Sequence, residues 1–127
     1  MKAFFQNKDL NYAPVAEVTV YNPLKTKSLR LKFLIDTGFQ GGILIPFKAY
    51  LSLDLNLFEK EETIAATATG TEVKLRTSKA IIEFDDENLE CEAYTTLGVR
   101  RALLGREVLR RVGLLYNPPR ELKLPLR

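Results

Sequence analysis

Between Leu29 and Ile35 the chain changes period. Leu29-Arg30-Leu31-Lys32-Phe33 alternates apolar and charged residues, as a strand does with one face in water. The alternation then stops, and Phe33-Leu34-Ile35 is apolar throughout, as in a strand leaving a half-exposed sheet for the interior. That strand ends on Asp36-Thr37-Gly38. A carboxylate placed directly after a buried run is costly unless it is hydrogen-bonded or paired. Gly38 permits a tight turn with close backbone approach, and the Thr37 hydroxyl can bond to a neighbouring main chain. Gly41-Gly42 opens a second short apolar strand, Ile43-Leu44-Ile45, which Pro46 closes. As bare chemistry the triplet also describes an ordinary turn, so the rest of the chain must decide.

Most of the remaining sequence reads as strands. Val15 to Val20 alternates and ends at Tyr21-Asn22-Pro23. Phe47 to Leu53 suits a short helix. Thr63 to Thr69 and Thr71 to Thr77 are β-prone arms about Gly70, the pattern of a hairpin with glycine in its turn. Lys79 to Phe84 reads as a further strand, followed by the acidic turn Asp85-Asp86-Glu87-Asn88 and a last alternating run from Leu89 to Thr96. Arg106 to Val112 predicts a helix, with Leu104, Val108 and Val112 on one face, Leu109 beside them and Gly113 as the stop. Asn117-Pro118-Pro119 breaks the chain. Leu122, Leu124 and Leu126 alternate in the tail, although Pro125 confines any such strand to a position where its missing N–H is harmless. The expectation is a single all-β domain spanning residues 1–127, a closed barrel rather than a sandwich, with one short C-terminal helix.

Composition narrows the chemistry. The chain has no histidine and one cysteine, Cys91. A Ser-His or Cys-His nucleophile pair, an imidazole zinc ligand and a thiolate zinc cage within one chain are all excluded. Catalysis is left to carboxylates, Lys, Tyr, Ser/Thr or backbone groups. The lone thiol suits a buried apolar role and a reducing compartment. The N-terminus turns polar too soon for a signal peptide, and no apolar run approaches the roughly 18 residues needed to cross a bilayer. A cytoplasmic protein without membrane attachment is expected. Arg100, Arg101, Arg106, Arg110 and Arg111 form the densest basic stretch, but no aromatic residue interleaves with them to stack bases. A solvated helix face and its lead-in is the expectation there, not a nucleic-acid interface.

The run Phe33-Leu34-Ile35-Asp36-Thr37-Gly38-Phe39-Gln40-Gly41-Gly42-Ile43-Leu44-Ile45-Pro46 resembles the active-site segment of clan AA, the retropepsin-like aspartic proteases. Ala102-Leu103-Leu104-Gly105-Arg106-Glu107-Val108-Leu109 is similar to the family's second landmark, two apolar residues and a glycine leading into a helix. Ala68-Thr69-Gly70-Thr71-Glu72-Val73 sits where the family has its flap hairpin. The Asp-Thr-Gly-Phe-x-Gly form of the first segment resembles a prokaryotic, single-domain branch, since the retroviral pattern has a small residue in place of Phe39.

The resemblance implies a closed β fold in which each subunit supplies one Asp-Thr-Gly loop. No second such loop occurs here; the other aspartates are Asp9, Asp54, Asp85 and Asp86, none in that setting. An active enzyme of this type would therefore be a homodimer with its site on the two-fold axis, and Leu122, Leu124 and Leu126 are expected to pair across its interface. Two Asp36 carboxylates would share one proton, the ionised one activating a water and the protonated one donating to the peptide carbonyl, without metal or other cofactor. Thr37 would brace the two loops, and Gly38 would present its backbone to an extended peptide. Substrate contacts would fall at Phe39, Gly41 and Ile43 and, from the flap, at Thr69, Gly70 and Thr71, while Leu103, Leu104 and Gly105 would support the site. Arg106 stands where the retroviral pattern has an arginine paired to a carboxylate; Gly41 cannot supply one, so Arg106 finds another partner or none. The competing reading is a catalytically silent dimer that keeps the fold as a peptide-binding or assembly module.

Overall fold

A computed structural model describes residues 1–6, 11–67 and 69–126. Asp9 and Ala68, named above, lie outside the described residues. Among the described residues there are ten strands: β1 (Lys2–Phe5), β2 (Pro14–Tyr21), β3 (Ser28–Ile35), β4 (Ile43–Leu44), β5 (Thr63–Ala66), β6 (Glu72–Phe84), β7 (Glu87–Thr95), β8 (Ala102–Leu104), β9 (Leu115–Asn117) and β10 (Glu121–Lys123). Two short helices among them, α1 (Phe47–Ser52) and α2 (Arg106–Val112), and one 3-10 turn over Leu55–Phe58 complete the described elements.

The main sheet runs β1-β2-β3-β8-β4-β7-β6-β5, and a further β2–β6 pairing closes the six strands from β2 to β6 into a barrel. Closure removes the open edges that a long flat sheet would expose. β8 lies between β3 and β4, parallel to the first with Leu34 opposite Leu103 and antiparallel to the second with Ile43 opposite Leu104. This insertion carries the second landmark against the loop that begins at Asp36.

The core is built from the positions that alternation predicts. Phe33 and Ile35 of β3, Ile82 and Phe84 of β6, and Val108 and Val112 of α2 are all buried, as is Leu104 at the end of β8. α2 ends at Gly113. Cys91 is buried in the same core, and burial pushes its thiol well above the ordinary range, with Glu107 adding to the effect. The thiolate is the reactive form. The native protein should therefore resist a disulfide-exchange reagent that labels Cys91 within minutes in denaturant; rapid labelling of the native state would contradict the packing.

Two expectations are corrected. The two segments about Ser78 are one strand: β6 runs unbroken for 13 residues, because β7 pairs with it from Arg76–Thr95 through Phe84–Glu87. In the tail, β10 pairs with β9 of the same chain, and Leu122 and Leu124 are buried in that chain's own core. The short helix expected from Phe47 forms as α1. No helix among the described residues is long and apolar enough to cross a membrane.

Candidate active site

Asp36 follows the last residue of β3, and its backbone N–H donates to Leu104 O at 2.9 Å. Its carboxylate Oδ1 accepts the Gly38 N–H at 2.9 Å, a bond that orients the acid toward the turn. A Cβ at Gly38 would stand 3.1 Å from the same oxygen, so a side chain there would press on the carboxylate. Asp36 is half-buried, while Thr37 and Gly38 are exposed. Two of the other aspartates are occupied elsewhere: Asp54 pairs with Lys27 and Asp85 with the N-terminal amine.

The loop from Asp36 to Gly42 is clamped to the start of α2. Gly105 N–H donates to Gly42 O at 2.8 Å, Arg106 N–H to Phe39 O at 2.8 Å, and Glu107 N–H to Gly41 O at 3.2 Å. The Glu107 carboxylate in turn accepts the Glu92 N–H of β7 at 3.1 Å. Three backbone amides at the opening of a helix thus hold three carbonyls of the loop, those of Phe39, Gly41 and Gly42. These donors have no partner within their own helix, so the clamp satisfies groups that would otherwise need water.

Above this loop stands the β5–β6 hairpin. Its turn is closed by Thr67 N–H donating to Thr71 O at 2.8 Å and Gly70 N–H to Thr67 O at 2.9 Å. Gly70 has φ +86°, the left-handed region that glycine adopts without cost. The hydroxyls of Thr67 and Thr69 are 3.0 Å apart, and Thr71 N–H donates to Thr67 Oγ1 at 3.2 Å. At the root, Arg76 donates twice to Glu59, Nε at 2.6 Å and Nη2 at 2.8 Å, while Tyr50 Oη donates to the same carboxylate at 3.0 Å. The Arg76 guanidinium also lies over the rings of Phe47 and Tyr50. These bonds fasten α1 and the 3-10 turn to the base of the hairpin.

The Arg76 hydrogen bonds hold the Glu59 carboxyl below its usual range, against an opposing effect of burial and with help from Tyr50. A carboxyl whose folded pKa is depressed stabilises the protein above its unfolded value and loses that contribution as pH falls through the folded one. Thermal stability should therefore decline on acidification from about pH 4.5 downward. Glu59→Gln should lower stability at neutral pH and flatten that decline. An unchanged slope in melting temperature against pH would show that Glu59 does not contribute.

Between loop and hairpin lies a cleft of about 430 Å³ containing Asp36, roofed by Ala65, Ala66 and Thr67 and walled by Leu44, Val73 and Leu103. A second compartment of about 390 Å³ continues past Phe39 toward Gly41, Ile64 and Tyr94. Phe39 meets Tyr94 edge to face, with ring centroids 6.0 Å apart. The Tyr94 phenol is pushed above its ordinary range by burial, then by Glu107 and Glu92.

Asp36, Gly38, Phe39, Gly41 and Leu103 are thus gathered around one cleft. Ile43 is not: it is fully buried in the core, and Leu44 turns toward the cleft in its place. Leu104 is buried and Gly105 lies behind the loop. Thr69, Gly70 and Thr71 are exposed at the hairpin tip, outside both compartments, which the arms line instead. Sequence reasoning missed Ala65, Ala66, Leu75 and Tyr94; the strand period of each arm marks which residues share a face, but only the pairing register shows which face meets the cleft. Among the described residues Arg106 makes no ion pair. It borders an open cavity of about 670 Å³ with Thr37, Gln40 and Arg110, on the side of the loop away from the hairpin.

No family model matches the chain, and no curated protein matches it. Solved structures do. The EIAV protease complexed with the inhibitor HBY-793 superposes with a TM-score of 0.60 at 18% identity, covering 85% of this chain and 95% of that one. A retropepsin-like aspartic protease from Rickettsia conorii superposes with a TM-score of 0.66 at 16% identity, covering 91% of this chain and 83% of that one. The chain has the retropepsin-like aspartic protease fold.

Proposed function

We propose that the protein is an aspartic endopeptidase that hydrolyses extended peptides through a pair of Asp36 carboxylates brought together in a homodimer, the whole chain 1–127 acting as one protease domain. The observation that carries the reading is the setting of Asp36. Its carboxylate is oriented by the Gly38 amide, paired with no cation among the described residues, and opens into a cleft under a β hairpin. A lone carboxylate there lacks the partner that acid–base chemistry needs. Thr37, exposed at the turn beside two open cavities, marks the face on which a second copy would supply it.

The mechanism follows from the pairing. Two carboxylates within hydrogen-bond reach cannot both ionise cheaply, so they hold one proton between them. The ionised member takes a proton from a water that attacks the scissile carbonyl, and the other protonates the carbonyl oxygen as the tetrahedral intermediate forms. The hairpin arms cover the peptide and exclude solvent. Thr37 braces the two loops, and Gly38, Phe39 and Gly41 meet the peptide, with Thr69, Gly70 and Thr71 reaching it at the tip when the hairpin closes. A cytoplasmic location suits the single buried thiol.

The test is concentration dependence. Sedimentation should give twice the mass of one chain, and cleavage per chain should rise with protein concentration and level off as the dimer saturates. A strict monomer that cleaves peptides would refute the shared dyad. A stable dimer that cleaves nothing at any pH would favour a silent peptide-binding module.

A further inference from the structure

We propose that Phe39 is a specificity-determining residue whose ring divides the cleft beneath the β5–β6 hairpin into two side-chain compartments, the outer one taking a compact uncharged side chain of the peptide. The inference rests on the peptide-binding reading of the cleft and names what that cleft prefers. Gly38, Phe39, Ala65, Ala66 and Leu75 border both compartments, so the ring and the loop beneath it form the partition. Asp36 lies on the inner side, and Gly41, Ile64 and Tyr94 on the outer.

The ring is held in place. A Cβ on Gly41 would stand 2.7 Å from Phe39 Cζ and 2.6 Å from Tyr94 Cε2, and a Cβ on Gly105 would stand 2.6 Å from Phe39 Cδ2. The absence of side chains at these two glycines makes the seat for the aromatic pair. Tyr94 then abuts the ring at an interplanar angle of 83°, a favoured aromatic geometry. The roof is small, Ala65 and Ala66, so the ring sets the size of each compartment. No charged residue lines the outer one among the described residues. In an extended peptide, side chains i and i+2 point the same way and are roughly 6.5–7 Å apart. Two neighbouring compartments on one face of a cleft therefore take two such side chains, with Phe39 between them.

Cleavage of a peptide library randomised one position at a time tests this with the full-length protein. Wild type should prefer Val, Leu or Ile over Trp at the position served by the outer compartment. Phe39→Ala, which joins the compartments, should raise the Trp-to-Val ratio of kcat/KM there by about tenfold or more, and leave the ranking at other positions unchanged. Ile64→Trp alters the opposite rim, at a residue that is 61% exposed, and should lower the ratio without touching the loop. Unchanged ratios overturn the proposal, as does an equal loss at every position. If Phe39→Ala fails to fold, Ile64→Trp alone decides. If wild type shows no cleavage that depends on Asp36, the protease reading fails by itself. Equilibrium binding of the same peptides to the three proteins then judges the partition: opposite shifts of the two variants support it, and no shift overturns it.

Discussion

Asp36→Asn is expected to reduce peptide cleavage by about 10⁴-fold or more while the fold and the dimer persist. In the proposed homodimer the substitution would enter twice and remove both the base that activates water and the acid that protonates the carbonyl. Each such role ordinarily contributes about 10²–10⁴-fold, so losing both leaves little above background. The fold has small reason to respond. The amide Oδ1 of asparagine still accepts the Gly38 N–H, and the bond from the residue 36 N–H to Leu104 O belongs to the backbone. Steady-state kinetics beside a melting curve and a sedimentation run would check this. Retained cleavage by a folded Asp36→Asn dimer would move the chemistry away from this loop.

Gly105→Ala should do the reverse and damage the fold first, by about 3 kcal/mol or more. The added methyl would meet the Gly41 carbonyl oxygen, the Phe39 carbonyl oxygen at 2.7 Å and the Phe39 ring at 2.6 Å. Two of these neighbours are backbone and cannot rotate aside. Relief would require the loop to leave α2, breaking hydrogen bonds from Gly105, Arg106 and Glu107 that are each worth about 1 kcal/mol. A shift in the urea midpoint, with loss of activity at temperatures where wild type is intact, would confirm the clamp. A variant of normal stability would mean that loop and helix are less tightly joined.

The parts of this fold that could be read in advance are those where period and punctuation agree. β3 alternates and then turns inward, and Gly113 stops α2 where the apolar face ends. Other elements lack such signals. β1 is Lys-Ala-Phe-Phe, too short and irregular to show alternation, and β9 lies directly before two prolines; each becomes a strand through its partner, β2 or β10. Ser78-Lys79 separates two β-prone segments of β6, yet pairing to β7 carries the strand straight through them. The error at Ile43 has a similar origin. A two-residue strand set between a glycine pair and Ile45-Pro46 has too few positions to show which face is inward, and a shift of one residue exchanges core for cleft. The site was therefore legible at Asp36 and Gly105, whose chemistry is local, but not at Tyr94 or Ala65, which reach the cleft through register.

The unbroken course of β6 gives the hairpin the mechanics of a cantilever. From Arg76 to Phe84 the strand is clamped in the barrel by β7 along its length and by β2 at its far end; from Glu72 to Leu75 its strand pairing among the described residues is with β5 alone. Such a beam has no hinge pin. Deflection at Gly70 is distributed along the free arm, and its reach is set by where the support ends, at the Arg76–Glu59 tie. Lengthening the arm by a pair of residues at its tip would retune how far the tip travels while leaving the residues that line the Asp36 cleft in place.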